Sequence, residues 1–261
     1  MVQRVKNFVL WAGVVGSFVL LIFIFFMRDR YTVPILTYHN VSASYSPLLL
    51  NNVTPKSFDH QMKFLYKHGY HVISLHDFVK GHRRGLAFQR NTVVITFDDG
   101  YEDSYANAYP ILKKFDFSAT AFVITDKIGT PGFLTWAQVK EMDDNDFSVE
   151  AHTRTHAYLP DLSLEAAREE IVGSKRILEQ KLGHKIKHFA YPSGGFTEET
   201  QTLVKQAGYK AAFTTNRGRD IFNRDMYALR RIRPKNGDNA LVLWAKLSGY
   251  YNLFRKSKDG Y

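Results

Sequence analysis

The chain alternates short apolar runs with longer stretches in which apolar residues recur at helical spacing. The short runs are rich in β-branched and aromatic residues and predict strands at 33–38, 70–73, 93–95, 119–124, 147–151, 187–191 and 209–215. The amphipathic stretches predict helices at 55–68, 75–84, 103–115, 136–142, 164–182, 198–207 and 239–247. Strands that alternate with helices predict right-handed crossovers and a mostly parallel sheet, and six or seven such units favour a barrel.

Helix ends are marked by residues with known capping chemistry. Thr54 followed by Pro55 predicts the start of the helix at 55–68. Ser163 predicts the start of a long helix that ends at Gly183, and Asp238 is expected to cap the last helix. The helix limits therefore rest on local chemistry as well as on periodicity.

The amino-terminal segment has a different pattern. Residues 8–26 form a run without a charge, flanked on both sides by basic residues, and this run approaches the length that crosses a bilayer core of roughly 30 Å. Its end at residues 24–27 is bulky, unlike the cleavage site of a signal peptide, which is the alternative. We therefore expect a short cytoplasmic tail and a transmembrane anchor over residues 1–30, and a globular domain over residues 31–261.

Composition narrows the chemistry. The chain has no cysteine and a formal net charge of +10, so it has no disulfide framework, thiol nucleophile or thiolate metal site. A basic surface attracts anionic partners such as nucleic acid, anionic lipid or anionic wall polymers. Residues 230–258 hold eight Lys or Arg against one Asp, for which a solvated surface is the simpler explanation. No nucleic-acid-binding motif accompanies this charge, so we expect no nucleic-acid partner.

The first candidate for chemistry is a pair of adjacent carboxylates. The apolar run at 93–95 leads into Asp98, Asp99 and Gly100. The aspartates fall at the carboxyl end of a predicted buried strand, where ligands gather in strand–helix folds. Two adjacent carboxylates repel each other unless a cation or a proton lies between them, and a metal ion would remove that cost. An ordinary Asp-Asp-Gly turn is the alternative.

A histidine pair follows another predicted strand. His152 and His156 are four residues apart, a spacing that suits metal ligation, although such a pair alone is more often incidental. Because the aspartates and the histidines both lie at strand ends, they together predict one metal site formed by two histidines and an aspartate.

These two stretches resemble a known family. Residues 96–100 (Thr-Phe-Asp-Asp-Gly) and 152–156 (His-Thr-Arg-Thr-His) resemble the first two motifs of the polysaccharide deacetylases, the NodB-homology group of carbohydrate esterase family 4. The resemblance runs in order from about residue 33 to about residue 234, and the stretch 34–41 resembles the poly-N-acetylglucosamine deacetylase branch. It implies a distorted, incomplete (β/α) barrel, which one N-terminal transmembrane helix precedes here.

The resemblance also implies roles for the motif residues. Asp99, His152 and His156 would hold one divalent metal ion, with zinc as the first expectation and cobalt, nickel or iron able to use the same ligands. Asp98 would stay off the metal and act as the general base that takes a proton from the attacking water.

The general acid departs from the usual family pattern. Most relatives use a histidine near the carboxyl end, but this chain has no histidine after His188. The poly-N-acetylglucosamine branch resembles a circular permutation, with the equivalent strand moved to the front as a Tyr-His motif. Tyr38 and His39 match that motif, so His39 is the implied general acid. A structural histidine at a strand end is the alternative.

The third motif, Phe-Ala-Tyr-Pro-Ser-Gly-Gly, also departs from the pattern. Many relatives have an arginine two residues before the proline that orients the base, and here that position is Ala190. Arg231 is the candidate replacement, with Arg230 and Arg233 as alternatives in a stretch that resembles a motif of the same branch. The backbone N–H of Ser193 would donate to the oxyanion, as it does in the family.

Four residues are expected to contact the substrate: Tyr191, Pro192, Gly194 and Trp136. Gly194 and Gly195 would let a sugar approach the backbone. Trp136 would offer an aromatic face to a sugar ring, and a tryptophan in the core or at its rim is the alternative.

We therefore expect a membrane-anchored, extracytoplasmic, monomeric enzyme that depends on a metal. It would remove N-acetyl groups from an N-acetylglucosamine-containing glycan and contact the lipid bilayer through its first helix. Poly-N-acetylglucosamine, peptidoglycan and a secondary wall polysaccharide all fit the sequence as substrates. An O-acetyl esterase and a non-catalytic glycan-binding module are the alternatives.

Overall fold

The computed structural model describes residues 2–28, 31–43, 51–215, 217–218 and 220–256. The chain divides into two compact units, Met1–Thr32 and Val33–Tyr261. The first unit contains helix α1 (Val2–Arg28). Within the described ranges no helix combines the length and the apolar character needed to cross a membrane, so the anchor at 8–26 stays a prediction. Parts of the predicted tail-and-anchor segment (residues 1 and 29–30) lie outside the described residues.

The second unit is built on a sheet of eight strands. They are β1 (Ile35–Tyr38), β2 (His71–Val72), β3 (Thr92–Phe97), β4 (Ala119–Val123), β5 (Phe147–Ala151), β6 (His188–Ala190), β7 (Ala211–Thr214) and β8 (Leu229–Arg230). The order across the sheet is β1-β3-β4-β5-β6-β7-β8, with β2 paired to β3 off this path. Every strand pairing is parallel, which confirms the mostly parallel α/β sheet.

The sheet curls back on its first strand. Ile232, just after β8, donates its N–H to the Ile35 carbonyl at 2.7 Å and accepts a hydrogen bond from the Thr37 N–H at 2.9 Å. The sheet is therefore a nearly closed barrel. Its least regular point lies between β5 and β6, whose register contains one residue pair, Ala151 and Phe189. The sequence pattern missed β8, because a strand of two residues next to several arginines has no apolar periodicity.

Within the described ranges, six α-helices of the second unit connect these strands and a seventh follows β8. They are α2 (Pro55–Lys67), α3 (Leu75–Arg83), α4 (Tyr109–Lys114), α5 (Trp136–Asp143), α6 (Leu164–Leu182), α7 (Glu198–Gln206) and α8 (Ala240–Leu247). Their starts follow the capping chemistry, since Thr54 accepts from the Ser57 N–H and Ser163 from the Ala166 N–H. Gly183 ends α6 in the left-handed conformation, at φ 78°.

Two helix predictions need correction. Asn239, not Asp238, caps α8 by accepting from the Val242 N–H, because the Asp238 carboxylate is engaged by Lys246. The helix predicted at 103–115 begins with a π-helical turn (Ser104–Ala108) before α4. Pro110 has no N–H to donate to the carbonyl four residues earlier, so a regular α-helical ladder cannot run through this stretch.

The core lies inside the barrel and between the barrel and the helices. All six residues of β3 are buried, as expected for a central strand that is covered on both faces. Because the strands are parallel, their carboxyl ends lie at one end of the barrel, and the segments after β1, β3, β5, β6 and β8 meet there.

Candidate active site

The predicted metal ligands come together at the carboxyl ends of β3 and β5. Asp99 Oδ1 lies 3.4 Å from His152 Nε2 and 3.3 Å from His156 Nε2. One ligand atom from each of these residues lies within 4.8 Å of the others. His152 donates Nδ1–H to the Ala190 carbonyl at 2.8 Å, which directs its Nε2 atom toward Asp99. A carbonyl that fixes the imidazole in this way is the usual support for a metal-binding histidine.

The donor set fits a divalent metal ion. Asp99 Oδ1 is buried without a hydrogen-bond partner within the described part of the chain, so a cation would satisfy it. Burial alone would raise the pKa of Asp99, but His152 and His156 hold that pKa well below its usual range. The carboxylate is therefore ionised, as ligation requires. Two imidazoles and one carboxylate would leave one open position on a tetrahedral ion such as zinc.

The backbone is unusual at these residues. Asp99 has φ 73°, Thr153 φ 65°, His156 φ 68° and Ser193 φ 53°. Residues other than glycine rarely adopt this left-handed region, and they do so mostly where a functional arrangement requires it. The turns after β3, β5 and β6 therefore adopt an unfavourable backbone conformation, which directs their side chains toward one space.

Asp98 is held by Arg231. The guanidinium donates Nη1–H and Nη2–H to the two carboxylate oxygens, each at 2.7 Å. Arg231 is itself fixed by the Thr214 carbonyl at 3.1 Å and by Thr96 Oγ1 at 3.2 Å. Burial would raise the pKa of Asp98, but Arg231 outweighs it and the pKa is lowered. Of the three arginines considered from sequence, Arg231 is the one that the structure places on Asp98.

His39 lies beside the same carboxylate. Its Nε2 is 3.9 Å from Asp98 Oδ2, and its Nδ1 is buried with no hydrogen-bond partner among the described residues. Burial lowers the pKa of His39 to about 4, although Asp98 and Asp99 act in the opposite direction. The imidazole is therefore neutral near pH 7 in the free protein. Its role as general acid stays a prediction.

The turn after β6 exposes only part of the third motif. Ser193 lines the cavity beside the metal-ligand group, whereas Tyr191 and Pro192 are buried. The Tyr191 hydroxyl donates to the Tyr227 carbonyl at 3.0 Å. Tyr191 and Pro192 therefore lie beneath the turn and do not line the cavity, and their contact with substrate stays a prediction.

The glycines of this motif serve packing. A Cβ on Gly194 would lie 2.5 Å from Thr215 Oγ1 and 2.7 Å from the Thr215 backbone nitrogen. A Cβ on Gly195 would lie 2.1 Å from the ring of Tyr158. Thr215 therefore occupies the space at Gly194 in which a sugar was predicted to approach the backbone.

Trp136 also lies away from the cavity. Its half-buried ring packs against the core at the start of α5, and Lys181 Nζ lies 5.4 Å from the ring centroid. The alternative considered from sequence, a tryptophan at the rim of the core, describes this position.

One cavity of about 480 Å³ contains the site. Seven of its lining residues were predicted from sequence as site residues: His39, Asp98, Asp99, His152, His156, Ser193 and Arg231. Sequence reasoning missed the others, which are Thr37, Asn51, Thr215, Arg217, Lys235, Lys246, Tyr251 and Arg255, and it considered Arg233 only as an alternative partner of Asp98. Four of these nine are basic residues from the segment after β8. The charge excess at residues 230–258 was the available signal, and it was taken for solvated surface.

A parallel α/β barrel with a His-His-Asp group beside a buried, ionised aspartate fits the class of hydrolases that use a metal ion. Residues 86–212 match the sequence profile of the family described as polysaccharide deacetylase. The Bacillus subtilis (strain 168) protein YxkH is 35% identical over 204 residues, which are 78% of this chain and 72% of that protein. The chain belongs to the polysaccharide deacetylase family, carbohydrate esterase family 4.

Two further relatives agree with this assignment. The poly-beta-1,6-N-acetyl-D-glucosamine N-deacetylase of Staphylococcus epidermidis is 30% identical over 199 residues, 71% of this chain and 68% of that protein. The solved structure of the Streptococcus pyogenes deacetylase PplD in complex with acetate is 32% identical and superposes with a TM-score of 0.76. That match covers 82% of this chain and 97% of the PplD chain.

Proposed function

We propose that this protein is a metal-dependent hydrolase of N-acetyl groups on an N-acetylglucosamine-containing glycan of the cell surface or cell wall. The reaction releases acetate and leaves a free amine on the sugar. The observation that carries the proposal is the convergence, in one cavity, of the Asp99–His152–His156 group with the ionised Asp98–Arg231 pair. The substrates named for the staphylococcal relative support N-acetylglucosamine as the sugar.

Asp99, His152 and His156 would hold the metal ion. When bound, the ion supplies Lewis-acid polarisation of the acetyl carbonyl and a lowered pKa for the attacking water. Zinc suits two nitrogens and one carboxylate oxygen, and cobalt, nickel or iron suit the same donors.

Asp98 accepts the proton that the attacking water loses. Its ionised carboxylate is fixed by two charge-assisted hydrogen bonds from Arg231, so it points into the cavity in one orientation. The N–H of Ser193, which lines the same cavity, donates to the carbonyl oxygen as negative charge develops there.

His39 gives a proton to the leaving nitrogen as the C–N bond breaks. Because its pKa is about 4 in the free protein, His39 must gain a proton during the reaction before it can donate one. Asp98, 3.9 Å away, holds the proton taken from water. One water is consumed, and its atoms are divided between acetate and amine.

The low pKa of His39 also favours a second candidate, O-acetyl ester hydrolysis. An alkoxide leaving group needs less acid assistance than an amine, so a neutral histidine is a smaller handicap. The complete set of Asp98, Asp99, His152 and His156 argues against a non-catalytic glycan-binding module.

Acetate release by the full chain tests the proposal. The protein is stripped of metal, restored with zinc or cobalt, and offered β-1,4- and β-1,6-linked N-acetylglucosamine oligomers, wall fractions and an O-acetylated glycan. We expect metal-dependent acetate release from N-acetyl substrates that the Asp98→Asn variant does not catalyse. Release from the O-acetylated glycan alone would replace the deacetylase proposal by the esterase.

We also propose that residues 8–26 anchor the protein in the cell membrane, with the catalytic unit outside. The uncharged run supports this, as do the exposed side chains of Leu10, Trp11 and Phe18 on α1. Membrane fractions washed with carbonate should retain the full chain. Recovery of the full chain in the wash would contradict the anchor.

A further inference from the structure

One side of the active-site cavity carries more positive charge than deacetylation uses. Arg233, Lys235, Lys246 and Arg255 line it, and we call these four residues the basic wall. The acidic residues among the lining are Asp98 and Asp99. Arg231 already neutralises Asp98, and Asp99 belongs to the metal-ligand group. The basic wall is therefore surplus to the chemistry at the acetyl group.

Contacts with the protein hold the basic wall in place. Lys246 Nζ donates to the Arg233 carbonyl at 3.0 Å and pairs with Asp238. Arg255 Nη1 donates to the Arg231 carbonyl at 2.8 Å. Arg233 Nη1 donates to the Asn51 side chain. Arg233, Lys246 and Arg255 are therefore built into the cavity, whereas Lys235 is exposed.

Most of this charge has no carboxylate partner. Across the ranges that the structure describes, no carboxylate forms an ion pair with Arg233, Lys235 or Arg255. The Nε of Arg233 is buried and has no hydrogen-bond partner in those ranges. Burial lowers the pKa of Arg233 and of Arg255, and the two guanidiniums repel each other and so add to the lowering for Arg255.

Partly buried like charges are unfavourable unless an anion lies between them. Guanidinium groups with free N–H donors match the oxygens of phosphate and carboxylate groups in geometry and charge. The basic wall therefore has the chemistry of an anion-binding site.

N-acetylglucosamine itself provides no anion. The sugar is neutral, and its deacetylated product carries an ammonium group that the basic wall would repel. A cavity of about 480 Å³ lies within the usual size range of small-molecule sites, about 300–1,000 Å³. An acetylated sugar and a substituent on it, or on its neighbour, are both of suitable size for this space.

We propose that the basic wall binds a phosphoryl or carboxylate group of the glycan, on or next to the sugar that is deacetylated. The substrate is thus an anionic N-acetylglucosamine-containing glycan. The proposal rests on the proposed deacetylase function and narrows it to a substrate class.

Three matched trisaccharides test this with the full, metal-loaded chain. One is neutral tri-N-acetylglucosamine, one carries a phosphate on the central sugar, and one carries a lactyl carboxylate at the same place. We expect kcat/KM to be at least about tenfold higher for an anionic trisaccharide than for the neutral one, mainly through KM, since hydrogen bonds between charged groups are the strong ones. The better of the two anionic substrates identifies the group.

Substitutions in the basic wall test whether these residues produce the preference for the anionic trisaccharide. Arg233→Gln and Arg255→Gln should each reduce the preference for the anionic trisaccharide by about tenfold. Arg84→Gln is the matched control, because Arg84 is exposed and lines a different cavity, and it should keep the preference. Equal use of all three trisaccharides, or a preference that survives both cavity variants, would overturn the proposal.

A binding measurement separates this proposal from the deacetylase function. Calorimetric titration of the phosphorylated, carboxylated and neutral trisaccharides into metal-stripped protein needs no turnover and keeps the Asp98–Arg231 pair. Tighter binding of an anionic trisaccharide that Arg233→Gln weakens supports the basic wall even if no acetate is ever released.

Asp259 lies outside the described residues, so Asp259→Asn is titrated in parallel. Anion binding that occurs only in Asp259→Asn would mean that the chain fills the basic wall itself, which overturns the proposal.

Discussion

Arg231 binds both carboxylate oxygens of Asp98 at 2.7 Å, although 133 residues separate the two in the sequence. The pair forms because β3 and β8 end at the same end of the barrel. With both oxygens engaged by a guanidinium, Asp98 is kept from acting as a metal ligand. Its neighbour Asp99 has an oxygen without a partner in the described chain and lies against two histidines. Two adjacent aspartates thus receive different environments.

Replacing Asp98 by asparagine should remove turnover and leave metal binding intact. The amide has nearly the same shape but cannot accept the proton from water, and general-base catalysis typically contributes about 10²–10⁴-fold. Acetate release and metal content per chain would be measured together. Near-normal acetate release with one metal per chain would contradict the assignment of Asp98 as the base.

Arg231→Gln should move the acid limb of the pH profile of kcat/KM to higher pH. Arg231 lowers the pKa of Asp98. Without it, Asp98 is protonated at higher pH, so activity falls most at low pH and recovers partly as the pH rises. Arg231→Lys, which keeps the charge, should shift the limb less. Leaving a buried carboxylate unpaired costs about 3–5 kcal/mol of folding free energy, so thermal unfolding must first show that the variant is folded. An acid limb that stays in place would contradict this role of Arg231.

His39→Ala should slow amide hydrolysis far more than ester hydrolysis. An amine leaves only when protonated, whereas an alkoxide needs less help, and loss of a general acid typically costs about 10²–10⁴-fold. Rates on matched N-acetyl and O-acetyl sugars, with metal content as the control, measure the difference. Equal slowing of both substrates would favour a structural role for His39.

Asp99→Asn should weaken metal binding and abolish stabilisation by metal. A ligand that binds only the folded state raises stability by about 2.7 kcal/mol at one hundred times its Kd. Thermal unfolding with and without zinc measures the stabilisation that the metal provides. Asp59→Asn is the control, because Asp59 pairs with Lys114 outside the metal-ligand group. A zinc-dependent rise in Tm that persists in Asp99→Asn would remove Asp99 from the ligand set.

Gly194→Ala should destabilise the protein more than Gly183→Ala. Both glycines have positive φ, 73° and 78°, so the conformational penalty of alanine is similar. A Cβ at Gly194 meets Thr215, whereas nothing lies within 4 Å at Gly183. Overpacking of this kind typically adds about 1–3 kcal/mol. Urea unfolding of the two variants gives the difference, and equal destabilisation would show that Thr215 can move aside.

Local signals in the sequence were enough to predict most of the helices and strands. Thr54 and Ser163 start their helices as expected, because an N-cap acts on N–H groups two or three residues away. Asp238 was predicted to cap α8, but Asn239 does so, and local chemistry does not separate the two because either residue type can cap a helix. The choice depended on Lys246, which lies one helix length away and engages Asp238.

Site residues could be predicted from sequence where they directly follow a recognisable strand. Asp98, Asp99, His152 and His156 follow apolar strands directly, and a strand end is visible in sequence. Tyr191, Pro192 and Gly194 also follow a strand, but whether a residue in a turn faces the cavity or the core depends on φ and on neighbours such as Thr215. The sequence pattern does not contain that information.

The sequence by itself determined the parallel strand–helix order, most of the helix caps and the motif residues at the strand ends, because each depends on residues within a few positions of one another. Tertiary structure alone decided which arginine reaches Asp98, which aspartate is left for a metal, and that the basic residues after β8 line the cavity. These outcomes depend on how the barrel closes, when Ile232 pairs with β1 and brings the last strand beside the first. No local pattern specifies that closure, since it joins residues almost two hundred positions apart.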